Sequence, residues 1–134
     1  MTRPAPLLTD DNKAFWLAAI EHQLVIQRCA ACGRLSHPPR PMCPRCHSLD
    51  QEMAEVAGTG KVYSYAIIHH PQNMAFDYPV VAVLVDLDEG PRILSNLVGC
   101  PPDQIRIGLP VRVTFEATVD DMAVPVFAPI EAGA

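Results

Sequence analysis

At 134 residues, the chain is long enough for one compact domain, or for a small barrel with a metal-bound appendage, but not for two full-sized domains. Nearly half of its residues are apolar and 19% are charged, which argues against general disorder. The formal charge of −5 argues against a strong duplex-DNA binder, because neutralising phosphates normally requires a basic surface.

The sequence contains no apolar run close to the ~20 residues that span a bilayer, and it does not begin with the basic-then-apolar pattern of a secretory signal. We therefore expect a cytoplasmic protein. Disulfides are disfavoured in a reducing compartment, so two C-x-x-C pairs indicate metal ligands, and Cys100 is left as an odd thiol.

Residues 1–24 are expected to form an N-terminal extension and a helix. The first nine residues, with two prolines, predict an extended lead-in that folds against another part of the protein. From Asp10 to about His22 the pattern predicts a helix, because Phe15, Ala19 and His22 share one face and acidic residues suit its N-terminus.

Residues 25–52 are predicted to form a zinc ribbon with the spacing C-x2-C-x10-C-x2-C. Two short knuckles can direct four thiolates tetrahedrally at one ion, and four cysteines leave no open position for catalysis. The predicted ligands of a structural Zn²⁺ are Cys29, Cys32, Cys43 and Cys46. Iron in place of zinc, or a cysteine set that has lost its metal, remains an alternative.

Glycine and histidine occupy equivalent positions after the two cysteine pairs. Gly33 allows backbone N–H groups to approach sulfur closely, whereas His47 in the equivalent place would break the symmetry of the knuckles. His37 and His47 are near enough to act as ligands, but a closed four-thiolate shell makes both of them surface residues.

The predicted ribbon is basic although the chain is acidic. Between His22 and Leu49 there is no Asp or Glu, while four arginines occur, namely Arg28, Arg34, Arg40 and Arg45. A Zn²⁺ with four thiolates contributes about −2, so the occupied ribbon keeps about +2. Such a cluster suits the phosphates of a nucleotide-bearing ligand or of single-stranded nucleic acid; alternatively, the arginines only balance the thiolates.

Residues 53–134 are predicted to form a small β-barrel. Strands are expected at about 60–69, 79–86, 92–98, 111–118 and 124–129. Residues 80–85 are apolar on both faces, so this strand needs cover from the barrel interior and from the helix, the metal module or a partner. Pro125 and Pro129 indicate an edge strand at the end. The predicted fold class is mainly β.

We assign no catalytic residue. The sequence has no G-x-S-x-G elbow, P-loop, H-E-x-x-H motif or dinucleotide fingerprint. His69 and His70 are adjacent at a strand end, where at most one could line a given site, and a polar strand end explains them. Phe15, Trp16 and Tyr63 could stack on a base, but core packing is the favoured role.

Four segments together resemble one family. They are the helix beginning near Phe15, the stretch LVIQRCAACGRLSHPPRPMCPRCHS, the strand GTGKVYSYAIIH and the strand IGLPVRVTFE. They resemble the domain of unknown function 35 family, acyl-CoA-associated OB-fold proteins with an N-terminal rubredoxin-like zinc ribbon, over about residues 10–130.

The resemblance implies a five-stranded OB barrel and a function through association. Family members partner thiolase-like or ketosynthase-like enzymes in acyl transfer or in retro-aldol cleavage of steroid side-chain CoA thioesters, and others pair with hydratases. The catalytic residues then belong to the partner, so activity of the chain alone is not expected.

Two functions are compared. The leading hypothesis is an acyl-CoA-binding accessory subunit of a thiolase-like complex, with CoA contacts from Arg28, Arg40 and Trp16 that rest on the charge cluster and on stacking, not on a family motif. The alternative is a single-stranded nucleic-acid-binding module, against which the net acidity and the 6% aromatic content count.

Overall fold

The computed structural model of the protein describes residues 3–130, so the outermost parts of the first and last predicted units, residues 1–2 and 131–134, lie outside the described chain. Within this range there is one α-helix, α1 (Lys13–Ile20), and no helix is both long and apolar enough to cross a membrane. The strands are β1 (Val25–Cys29), β2 (Leu35–Ser36), β3 (Gln51–Glu55), β4 (Thr59–Ile68), β5 (Val80–Leu87), β6 (Arg92–Asn96), β7 (Pro110–Ala117) and β8 (Ala123–Pro129).

The helix is shorter than the sequence predicts at both ends. Before it, Thr9 and Asn12 form a reciprocal pair, in which each backbone N–H donates to the other side chain, at 2.7 and 3.2 Å. After it, His22 has a φ of 58°, which stops helical propagation. Phe15 and Ala19 are buried as predicted, whereas the His22 ring is exposed and stacks on Phe115 with 5.1 Å between centroids.

The ribbon is a three-stranded sheet in the order β2-β1-β3. β3 pairs antiparallel with the whole of β1, from Val25 opposite Glu55 to Cys29 opposite Gln51. The sequence did not predict β3, because QEMAE is rich in residues with helical rather than strand propensity. The unit boundary proposed near residue 52 falls within this strand.

The remaining five strands form a barrel in the order β6-β5-β4-β7-β8. The ends meet where Leu97 bridges Phe127 in parallel and the Val98 N–H donates to the Phe127 carbonyl at 2.8 Å. This is the five-stranded OB topology, so the predicted mainly β fold class and strand set are confirmed. β8 is the last strand in the order, as its prolines indicate, although it lies beside the end of β6.

One hydrophobic core joins the helix, the ribbon and the barrel. Val83, Val85 and Phe127 are fully buried inside the barrel, and Phe15 and Ile26 pack in the same cluster. The ribbon is therefore held against the barrel wall by a continuous apolar contact and not by a flexible linker.

The N-terminal lead-in folds against the barrel, as the sequence predicts. Its anchor is Arg3, whose carbonyl accepts a hydrogen bond from the Val119 N–H at 2.9 Å. The Arg3 guanidinium donates to Glu116 Oε1 at 2.7 Å and to Asn96 Oδ1 at 2.8 Å. Sequence reasoning missed this residue, since only the tertiary fold brings Glu116 and Asn96 to it.

Candidate metal centre

The four predicted cysteine ligands converge on one point. Their sulfurs all lie within 4.8 Å of one another, with Cys29 Sγ 3.5 Å from Cys46 Sγ and Cys32 Sγ 3.7 Å from Cys43 Sγ. Tetrahedral coordination with metal–sulfur bonds of about 2.3 Å separates sulfurs by about 3.8 Å, so the arrangement fits a closed tetrathiolate metal site.

The two knuckles have matching backbone geometry. The Gly33 N–H donates to the Cys29 carbonyl at 2.8 Å, and the His47 N–H donates to the Cys43 carbonyl at 3.0 Å. Gly33 has a φ of 81° and His47 a φ of 65°, so both residues adopt the left-handed conformation. The expectation that His47 breaks the symmetry is wrong, because histidine here accepts the strained backbone that glycine accepts freely.

The local environment shifts the pKa values of the clustered cysteines in different directions. Backbone N–H groups, first that of Cys32, lower the pKa of Cys29 to about 6 despite its burial. The Ser48 N–H lowers the pKa of Cys46, but the Cys29 sulfur and burial outweigh it and raise that pKa to about 12. One ionised sulfur thus opposes ionisation of its neighbours, and a cation at their centre would allow all of them to be thiolates.

The arginine cluster is partly neutralised in the fold. Arg28 forms an ion pair with Glu52 of β3 at 3.2 Å. Arg45 donates to the Cys32 carbonyl at 3.2 Å, and the Cys32 sulfur beside it raises the pKa of the guanidinium. Arg34 and Arg40 are exposed and form no ion pair within residues 3–130. Within the described residues, one of the four arginines is therefore paired with a carboxylate, one is hydrogen-bonded to a neutral carbonyl, and two form no ion pair.

The Arg40 backbone is fixed by a side chain that sequence reasoning did not single out. Gln27 is buried, and its amide both donates to the Arg40 carbonyl and accepts from the Arg40 N–H, each at 2.6 Å. The sequence signal that could have identified Gln27 is its position as a polar residue directly after an apolar run in β1. Asp10, Asp11 and Glu52 also line the adjoining cleft of about 440 Å³, so their carboxylates would oppose the binding of a phosphate inside it.

Trp16 and Arg40 lie on opposite sides of residues 37–39. Trp16 lines a cleft of about 320 Å³ between α1, β6 and β8, together with His37, Pro38, Leu94 and Pro125. Trp16 Nε1 and His37 Nδ1 are buried and have no hydrogen-bond partner within the described chain. The predicted CoA contacts Trp16 and Arg40 are thus separated by residues 37–39.

His37 is not the surface residue that the sequence predicts. It packs on the Phe15 ring with 5.0 Å between centroids, and burial lowers its pKa from 6.5 to about 4. As the pH falls, the unfolded chain takes up a proton before the folded protein does, so stability must decrease with falling pH.

We expect the free energy of unfolding to decrease by about 1 kcal/mol between about pH 7 and about pH 5.5 because of His37 alone. Urea unfolding at the two pH values should show this decrease in the wild type and not in His37→Gln. His69→Gln, at an exposed site, is the matched control and should retain the wild-type dependence. An unchanged pH dependence in His37→Gln would contradict the assignment.

The remaining candidates lie away from the sulfurs. His69 and His70 follow β4 and are both exposed. Phe15 is in the core as predicted, but Tyr63 is 46% exposed, with the Arg92 guanidinium 3.5 Å above its ring. The core role predicted for Tyr63 is therefore wrong, because successive strand residues face opposite sides and the neighbouring Val62 faces the core.

A four-cysteine ribbon packed on an OB barrel defines a class of protein. Comparison with known families shows to which family of that class the chain belongs. Residues 16–51 match the family model of the ChsH2 rubredoxin-like zinc ribbon domain, and residues 54–116 match that of the ChsH2 C-terminal OB-fold domain.

Curated relatives agree with these matches. A DUF35 domain-containing scaffold protein of Methanocaldococcus jannaschii is 34% identical over 73% of this chain and 71% of the relative. The chain belongs to the DUF35 family.

Two longer relatives are named as hydratase subunits. A probable enoyl-CoA hydratase alpha subunit of Thermomonospora curvata is 52% identical over 95% of this chain, and the 3-oxo-4,17-pregnadiene-20-carboxyl-CoA hydratase alpha subunit of Mycobacterium tuberculosis is 37% identical over 86%. The chain spans only 40% and 36% of their respective lengths.

A solved structure titled Ltp2-ChsH2(DUF35) aldolase contains a chain that is 49% identical to this one, with a TM-score of 0.89 over 93% of this chain and 98% of that chain. A DUF35 protein of Sulfolobus solfataricus, at 19% identity and a TM-score of 0.62, shares the fold.

Proposed function

We propose that this chain is the acyl-CoA-binding accessory subunit of a two-component enzyme, in which a thiolase-like partner carries the reaction. The observation that carries the proposal is the likeness to nearly the full length of the DUF35 chain in the Ltp2-ChsH2(DUF35) aldolase. A further relative, 36% identical over 54% of this chain, is the benzoylsuccinyl-CoA thiolase subunit BbsA of Geobacter metallireducens.

The proposed reaction is retro-aldol C–C cleavage of a CoA thioester, with a steroid side chain as the favoured acyl group. The names of the relatives support this choice. They include hydratases and a thiolase that act on CoA thioesters, and an aldolase, and one of the named CoA thioesters has a pregnadiene skeleton. On this proposal the chain positions the substrate, and its partner supplies the catalytic groups.

The proposed metal is a structural Zn²⁺ held by Cys29, Cys32, Cys43 and Cys46. Closed four-thiolate geometry and the match to a zinc ribbon model support zinc over iron. The ion ties the two knuckles and so holds the loop that carries His37 and Arg40. We place the protein in the cytoplasm, where cysteines remain reduced.

The proposed substrate surface lies around this loop. Arg40 and Arg28 would contact the CoA phosphates, and Trp16 would stack on its adenine. The Trp16 cleft adjoins a second cavity of about 690 Å³, and Arg3 and Asn96, which are hydrogen-bonded to each other, line both. The exposed ion pair between Arg28 and Glu52 is weak enough to exchange for a phosphate.

Co-purification with the thiolase-like protein of the same organism, followed by calorimetric titration with acyl-CoA, tests the proposal. We expect a stable complex, and about tenfold weaker acyl-CoA binding in Arg40→Ala, because an exposed charge-assisted contact is lost. Arg112→Ala, an exposed arginine on β7, is the control and should bind as the wild type does.

One set of results would contradict the proposed function. If the chain forms no complex and binds no acyl-CoA, yet retains single-stranded nucleic acid with a steep salt dependence, the proposed function is wrong and the nucleic-acid alternative replaces it.

A further inference from the structure

β4 is paired on both sides only in its first half. Thr59, Gly60 and Lys61 pair with β7, and the last bonds on this side join Val62 to Gly108 and Leu109. Beyond the bulge between Val62 and Ser64, the strand continues to Ile68 alongside β5 alone.

The direction of the backbone groups in the second half follows from the hydrogen bonds of β5. Leu97 N–H donates to the Val81 carbonyl and Leu87 N–H donates to the Pro91 carbonyl, so odd-numbered residues of β5 bond towards β6. The even-numbered residues therefore bond towards β4, where Ala82 lies opposite Ala66 and Leu84 opposite Ser64.

Alternation along β4 then directs the N–H and C=O groups of Tyr65 and Ile67 away from β5. Neither backbone makes a hydrogen bond within the described chain. Tyr65 is 37% exposed and Ile67 is half-buried, so this strand edge lies at the surface. An extended polypeptide is the ligand whose backbone matches such a row of donors and acceptors.

The edge also lacks two features that normally protect a strand edge from pairing, namely charged residues and proline, although the Tyr65 hydroxyl donates to the Ile105 carbonyl at 3.5 Å. Residues 63–68, YSYAII, contain no charge and no proline, and they are rich in residues with high strand propensity. Soluble proteins usually protect such an edge with lysine, proline or a covering segment. An unprotected edge of this length is a docking site or a source of aggregation.

The sheet face next to this edge is apolar. Ala66 is exposed, its neighbours Ala82 and Leu84 on β5 are partly exposed, and Leu94 on β6 is 69% exposed. The sequence predicted that this face of β5 needs cover, and within residues 3–130 neither the helix nor the ribbon supplies all of it. The edge and the face together form one uncharged surface.

We propose that the thiolase-like partner adds an extended, uncharged strand to the second half of β4. Its backbone pairs with Tyr65 and Ile67, and its apolar side chains cover Ala66 and Leu84. A charged strand does not fit, because residues 63–68 offer no opposite charge. The inference rests on the proposed function, and the two components of the Ltp2-ChsH2(DUF35) aldolase favour a partner subunit over a second copy of this chain.

Hydrogen exchange of the backbone amides, followed residue by residue by NMR, tests this pairing. In the chain alone, we expect the Tyr65 and Ile67 amides to exchange rapidly, whereas Ala66 is protected by its pairing with Ala82. In the complex, exchange at Tyr65 and Ile67 should slow by about 100-fold or more, while the buried Val83 amide serves as the unchanged reference.

The outcomes separate the two proposals. A complex that forms without added protection at Tyr65 and Ile67 overturns the strand addition and leaves the proposed function standing. Failure to form any complex overturns both. Protection of these amides in the chain alone, increasing with its concentration, replaces the partner with a second copy of this chain.

A pair of variants at one position provides a second test. Ile67→Pro removes the outward N–H, while Ile67→Ala removes the side chain and retains the N–H. Provided that both variants fold, we expect Ile67→Pro to bind the partner about tenfold more weakly than Ile67→Ala, because the partner carbonyl is left without a donor. Equal binding by the two variants contradicts backbone pairing; if Ile67→Pro does not fold, the exchange measurement decides.

Discussion

Replacing Cys43 with serine should remove the metal and destabilise the ribbon. Cys43 is 1% exposed, and its sulfur accepts from the N–H groups of Arg45 and Cys46 at 3.4 and 3.5 Å. A serine hydroxyl can still accept from these N–H groups, but it cannot replace the thiolate as a metal ligand. A structural zinc contributes about 10 kcal/mol or more in isolated zinc-finger peptides. Even a partial loss of about 3 kcal/mol would lower the Tm by about 10 °C.

Metal content by mass spectrometry and Tm by calorimetry check this expectation in parallel. Cys100→Ser is the matched control, because Cys100 is not among the clustered cysteines, and it should retain a full metal complement and a Tm close to that of the wild type. A Cys43→Ser protein that keeps both its metal and its Tm would show that the four sulfurs do not share an ion.

The same experiment tests whether the ribbon unfolds alone. Because Phe15 and Ile26 pack in the cluster that contains Phe127, loss of the metal should also weaken the helix and the barrel wall. We therefore expect one cooperative transition at a lower temperature, not a separate early transition of the ribbon.

The second large effect is expected at Gly60. This residue lies where β4 is paired on both sides, opposite Leu87 of β5 and Val111 of β7. Because a Cβ at this position would come unacceptably close to the Asp86 carbonyl oxygen, a backbone atom, the strands must separate to admit it. We expect Gly60→Ala to lower the free energy of unfolding by about 3 kcal/mol or more.

Gly99→Ala is the matched control for Gly60→Ala. At Gly99 an added Cβ meets no atom within 4 Å, but φ is +69°, so only backbone strain of about 1–2 kcal/mol is expected. Urea unfolding of both variants compares steric exclusion with strain. If Gly60→Ala is no less stable than Gly99→Ala, the close packing of β4 against β5 is not as described.

The sequence by itself determined the features that depend on local pattern and covalent spacing. The cysteine spacing identified the four converging sulfurs, since short knuckles allow few other arrangements. Apolar, strand-forming runs separated by turn residues located all five barrel strands, including residues 80–85, which are apolar on both faces and do not alternate. Resemblance to a known family supplied the barrel topology that alternation alone does not.

The tertiary structure decided which side chains meet across the chain. Arg28 and Arg45 are counted as free charges in the sequence, yet the fold places Glu52 and the Cys32 carbonyl beside them. β3 forms only because β1 offers it an edge, and the His37 ring becomes half-buried only because Phe15 packs against it. These contacts join residues distant in sequence, so their energies are set by packing and desolvation, which no local pattern contains.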